Sequence, residues 1–87
     1  MKLNKKLITM VKRIKFTQTI ELRVSFGTYN DQEYTEEYDD YYDFVYGEEV
    51  EVSIMEEMPD NITCSIELQG HELVGIMTVP KSHFKEL

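Results

Sequence analysis

Asn30-Asp31-Gln32-Glu33-Tyr34-Thr35-Glu36-Glu37-Tyr38-Asp39-Asp40-Tyr41-Tyr42-Asp43-Phe44-Val45-Tyr46-Gly47 is the stretch on which the fold turns. It opens an interval, Asp31 to Asp60, with thirteen acidic residues and neither Lys nor Arg. All six tyrosines lie between Tyr29 and Tyr46. At 100° per residue, with Tyr34 set at about 0°, Tyr38 falls near 40°, Tyr41 near 340° and Val45 near 20°. Glu33, Glu36, Glu37, Asp39, Asp40 and Asp43 all fall between about 140° and 300°. An alternating strand would mix Tyr34, Glu36, Tyr38 and Asp40 on one face. Asn30 suits an N-cap with Glu33 three residues on, and Gly47 suits a position just past the last turn. The spacing predicts an acidic, Tyr-rich amphipathic helix over 31–46.

Outward from this segment the period changes. From Ile14 to Phe26 the even positions are apolar except Gln18 and the odd positions polar, which predicts a half-buried strand with a bend or bulge near Thr17–Thr19. Gly27-Thr28-Tyr29-Asn30 closes it. Upstream, Leu3, Leu7, Met10, Val11 and Ile14 follow helical spacing, so residues 1–13 read as a basic N-terminal arm or short helix. Val50, Val52 and Ile54 alternate with Glu49, Glu51 and Ser53. Met58-Pro59-Asp60-Asn61 marks a turn. Ile62, Cys64, Ile66 and Leu68 alternate with polar residues, Gln69-Gly70-His71 reads as a hairpin connection, and Glu72–Val79 is apolar on both faces, as in a strand that is central or covered on both sides. Pro80 ends it. The expected fold is α+β over a single domain, 1–87. It has a four-stranded antiparallel sheet in the order strand-helix-strand-strand-strand, with the acidic helix on one face.

Composition limits function. The 87 residues carry a net charge of −8 and are 41% hydrophobic, enough for one small core and too apolar for a disordered acidic tail. Such a domain is repelled by nucleic acid, and its natural partners are cationic. Cys64 is the single cysteine, which suits a reducing cytoplasm. Thr9, Lys12 and Arg13 interrupt the apolar residues that a secretory signal needs, and no segment approaches a membrane span. Asn61-Ile62-Thr63 is a glycosylation sequon without a secretory context. The expected location is cytoplasmic.

Catalytic signals are absent. His71 and His83 have no nucleophile or metal-ligand spacing beside them, and the four glycines form no phosphate loop. Asp39, Asp40 and Asp43 lack the loop geometry of a calcium site. No enzyme activity, cofactor or metal is expected.

The acids invite use as a field. Seven acids from Asp31 to Asp43 on a helix would place one charge per roughly 3 Å, near the phosphate spacing along one DNA strand. Asp39, Asp40 and Asp43 would sit in the half of a helix where the macrodipole disfavours them, and no basic residue at i+4 offsets any of them. The expected partner-binding residues are Asp31, Glu33, Glu36, Glu37, Asp39, Asp40 and Asp43, flanked by Glu48, Glu49, Glu51, Glu56 and Glu57. On the wheel Tyr34, Tyr38 and Tyr41 point to the core. Tyr42 and Tyr46, with Tyr29, are core or interface anchors beside the carboxylates.

With the carboxylate array of residues 31–60, its small size and its α+β pattern, the chain resembles the small acidic DNA-mimic inhibitors of bacteriophages and mobile elements. Members of that class inhibit uracil-DNA glycosylase, the histone-like protein HU, RNA polymerase, restriction enzymes or CRISPR effectors. The likeness is physical, since the class shares no fold or motif, although Val52-Ser53-Ile54-Met55 with Pro59 is similar to the Ser-Ile strand of the glycosylase inhibitor. The resemblance implies a non-enzymatic inhibitor, monomer or homodimer, that covers the nucleic-acid-binding surface of a basic host protein, in the host cytoplasm if phage-encoded. The alternative is an acidic adaptor or regulatory subunit that docks on a basic groove unrelated to nucleic acid.

Overall fold

A computed structural model describes residues 10–30, 33–68, 70 and 72–87, without the side chains of residues 29 and 30. Seven strands occur: β1 (Val11–Phe16), β2 (Ile20–Asn30), β3 (Glu33–Phe44), β4 (Glu49–Glu57), β5 (Asn61–Ile66), β6 (Val74–Pro80) and β7 (Phe84–Glu86), with a single 3-10 turn at Lys81–His83. All belong to one antiparallel sheet in the order β3-β2-β6-β5-β4-β1-β7. The expected α+β fold, with four strands and an acidic helix over 31–46, is therefore corrected. Among the described residues there is no α-helix, and the acidic segment is the longest strand.

The helical reading fails for a local reason. β3 pairs with β2 from Ile20↔Phe44 to Asn30↔Glu33, and the register slips between Phe26↔Tyr38 and Gly27↔Glu36, leaving Glu37 as the extra residue. A one-residue bulge flips the parity of everything beyond it. Tyr38, Asp40, Tyr42 and Phe44 share the core side, whereas Tyr34 and Glu36, on the far side of the bulge, join Asp39, Tyr41 and Asp43 on the outer side. No alternation survives across the whole segment. Tyrosine favours strands, and a left-handed glycine serves a turn as well as a helix end: Gly47, at φ 88°, occupies the β3–β4 turn.

β1 and β2 show the opposite situation. The expected single strand from Ile14 to Phe26 breaks at Thr17–Thr19, and its halves are not neighbours, since β1 pairs with β4 and β7 while β2 pairs with β3 and β6. The alternation continues unbroken because both halves turn their even residues inward: Ile14, Phe16, Leu22, Val24 and Phe26 are all buried. The expected basic N-terminal arm or short helix over 1–13 is corrected in part, since Val11–Arg13 belong to β1; residues 1–9 lie outside the described residues. β4, β5 and β6 form a meander, with β6 flanked by β2 and β5.

The sheet curls until its buried face closes on itself. Phe44 of the edge strand β3 stacks on Phe16 of β1, five places away in the strand order, with ring centroids 4.7 Å apart. Around these rings pack Val24, Phe26, Val52, Ile62, Cys64, Met77 and Val79. Among the described residues no charged or polar side chain is buried. Gly75 belongs to this interior. A Cβ there would lie 2.7 Å from Val24 Cγ1, so the Val24 and Phe26 side chains occupy the space that a larger residue would need. Burial pushes the Cys64 thiol up to about 12, which makes it an inert packing group.

The rim beside Phe16 is sewn by backbone. Phe16 N–H donates to the Glu48 carbonyl (2.9 Å), Gly47 N–H to the Phe16 carbonyl (2.7 Å) and Thr17 N–H to the His83 carbonyl (2.8 Å). The Tyr46 N–H donates to Thr19 Oγ1 at 3.0 Å. These bonds fix the foot of β3 and leave the rest of that strand at the sheet's margin.

Candidate functional site

β3 holds six acids, Glu33, Glu36, Glu37, Asp39, Asp40 and Asp43, and no base. At about 3.3 Å per residue the ten steps from Glu33 to Asp43 span about 33 Å, or one acid per roughly 6 Å. The helical estimate of one per roughly 3 Å is corrected by that factor of two. Asp31 lies outside the described residues.

Glu33, Glu36, Glu37, Asp40 and Asp43 are exposed. Asp39 is half-buried, because Arg23 of β2 reaches over it: Arg23 Nε donates to Asp39 Oδ2 at 2.9 Å, and Nη2 donates to the same oxygen. Glu36 lines a depression beside it. The Glu36 contact first and the guanidinium second hold the Asp39 carboxyl below its ordinary value. The same contact pushes Glu36 up, and Asp39 raises the Arg23 guanidinium. Ser25, Ile76 and Thr78 complete a shallow depression of about 420 Å³ around these three charges. Tyr34 lies beside it; its hydroxyl donates to the Ser25 carbonyl at 2.8 Å. A Cβ on Gly27 would stand 2.8 Å from the Tyr34 ring and would overlap the Thr35 carbonyl oxygen. Glycine at 27 is what lets Tyr34 lie flat across β2.

The tyrosines divide differently from the wheel. Tyr38 stacks on Phe26 at 5.2 Å, and Tyr42 packs against Phe44 at 5.4 Å. Tyr42 is thus a half-buried neighbour of the core. Tyr41, expected in the core, is 63% exposed on the outer side; Tyr46 is 73% exposed in the turn after β3.

The flanking acids are not an extension of β3. In the sheet, β2, β6 and β5 stand between β3 and β4. Glu49 faces Lys15 and Glu51 faces Arg13 across the β1–β4 ladder. Glu48 spends its carboxylate on the Val45 N–H, 3.0 Å away. Glu57 pairs with Lys81 at 2.7 Å, which holds its carboxyl below the ordinary value. Glu56 is exposed at the end of β4. Arg13, Lys15, Arg23 and Lys81 are basic neighbours of these acids that sequence reasoning missed. Each lies outside the acidic interval and meets it through strand pairing or tertiary contact.

A second cavity, of about 670 Å³, opens where β4 and β5 part, between Val50, Val52, Ile66, Leu68, Tyr42 and Glu48. It gathers no set of catalytic groups. Among the described residues no three His, Cys, Asp or Glu side chains are grouped to hold a metal ion, and no helix is long and apolar enough to cross a membrane. Comparison with protein-family models, curated proteins and solved structures finds no match.

Proposed function

We propose that the chain is a non-catalytic inhibitor that acts as a DNA mimic, its acidic edge strand covering the nucleic-acid-binding surface of a basic protein. The observation that carries this reading is the length and sign of β3. Five exposed acids lie along about 33 Å, close to the roughly 34 Å of one duplex turn, with no Lys or Arg on the strand. Carboxylates stand in for phosphates, more thinly spaced than on one DNA strand, and Tyr41 and Tyr46 add exposed aromatic surface beside them. Partner classes that suit this chemistry are a nucleoid protein such as HU, RNA polymerase, a repair enzyme or a nuclease. The site of action is cytoplasmic.

Fluorescence anisotropy with a labelled duplex pre-bound to each of these four partner types tests the reading. Stoichiometric addition of the chain should release the duplex from one of them, and the effect should weaken steeply between about 50 and 300 mM salt. The E37K/D43K variant, altered at two exposed positions, should lose at least about tenfold in affinity. A complex that forms while the duplex stays bound would replace mimicry with the adaptor reading.

A further inference from the structure

A strand at the end of a sheet keeps one row of backbone donors and acceptors without a ladder partner. Among the described strands β3 stands in that position. One contact shows which of its groups face the open side. The Tyr41 N–H donates to Asp40 Oδ1 at 2.8 Å, although Tyr41 stands opposite Arg23 in the ladder. In an antiparallel pair alternate residues turn their N–H and C=O away from the neighbour, so Asp39 and Asp43 share the outward sense of Tyr41. The Asp40 carboxylate occupies the place that the carbonyl of an incoming strand would take.

Charge decides what that strand is. A second copy would set six acids against six more with no base on either strand, and like charges placed opposite destabilise a ladder. A segment with Lys or Arg at intervals meets the opposite sign on both sides of β3: Glu36, Asp39 and Asp43 outside, Asp40 inside. β2 already displays this pairing from the other flank, since Arg23 stands across from Tyr41 and reaches diagonally to Asp39. We infer that the open edge of β3 accepts an extended, Lys/Arg-bearing segment of a partner protein as an eighth strand. The inference rests on the reading of β3 as a partner surface and does not require that the partner bind DNA.

The test uses a synthetic ten-residue peptide of alternating Val and Lys, and a second peptide of the same sequence methylated at every backbone nitrogen. Charge is the same in both, and only the first can form a ladder. Amide exchange followed by NMR on the full chain should show the Asp39, Tyr41 and Asp43 amides slowed at least tenfold by the first peptide. The methylated peptide should bind at least tenfold more weakly. Equal affinity for the two, or no binding of the first, overturns the inference. Because the ligand is altered and the protein is not, folding is never at stake. Failure of duplex release alongside the expected peptide result would remove DNA mimicry and leave the edge as a strand acceptor.

Discussion

Asp39 meets the Arg23 guanidinium across the β2–β3 ladder while Glu36 stands beside it on the same strand, so one base and two acids share a small site. The two carboxyls move in opposite directions. Asp39 is depressed, so what it contributes to stability is present above its ordinary value of 3.8 and fades as pH falls through its folded value. Glu36 is raised, so its contribution is present below its ordinary value of 4.5 and fades as pH rises through its folded value. The Arg23 guanidinium beside Asp39 favours its charged form, while the neighbouring Asp39 carboxylate disfavours that of Glu36. Replacing Arg23 with Gln should raise the Asp39 pKa, read from carboxyl-carbon NMR titration. An Asp39 that titrates unchanged would mean the ion pair does not form in solution.

At the scale of elements, β3 is held at its foot and carried along its length. Phe44 is fully buried against Phe16, whereas Tyr46 two residues on is 73% exposed. Phe44→Ala should cost about 3–5 kcal/mol in urea unfolding, and Tyr46→Ala about 0.5 kcal/mol or less. Similar losses for both would show that the foot is not anchored as described. The sequence made β4, β5 and β6 legible because β5 alternates in one frame, β4 does so as far as Ile54, before its register shift at Met55, and β6 is apolar on both sides. β3 was not legible because Glu37 shifts the frame midway and tyrosine reads as burial on a wheel, although Tyr41 lies outside. The break at Thr17–Thr19 was visible as a place, but not as a change of neighbours, since even residues point inward before and after it. The acid-only interval could be read directly. Its partial neutralisation could not, because Arg23 and Lys81 pair with Asp39 and Glu57, and Arg13 and Lys15 stand opposite Glu51 and Glu49 in the ladder, through placements that local spacing does not encode.

For the whole molecule, a net charge of −8 on 87 residues makes self-repulsion a standing cost of the folded state. Among the described residues three ion pairs, Lys12–Glu86, Arg23–Asp39 and Lys81–Glu57, are surface contacts of small worth. Raising NaCl from about 10 mM to 300 mM shortens the Debye length from about 30 Å to under 10 Å. Thermal unfolding should therefore shift upward by a few degrees over that range, while affinity for a basic partner falls. A melting temperature that drops with salt would show that the three pairs outweigh the repulsion.

The separation of β1 from β2 also bears on how the chain assembles. β1 leaves the ribosome before any other described strand, yet its neighbours are β4, beginning at Glu49, and β7, where Phe84 sits opposite Phe16. Until those residues emerge β1 has nothing to pair with, whereas β2 and β3 can close their hairpin as soon as Phe44 is made. Closing the loop from Phe16 to Phe84 spends chain entropy that the hairpin never faces. Of the described strands, the first synthesised is thus among the last to be seated, and the acidic hairpin is complete before the interior it borders exists.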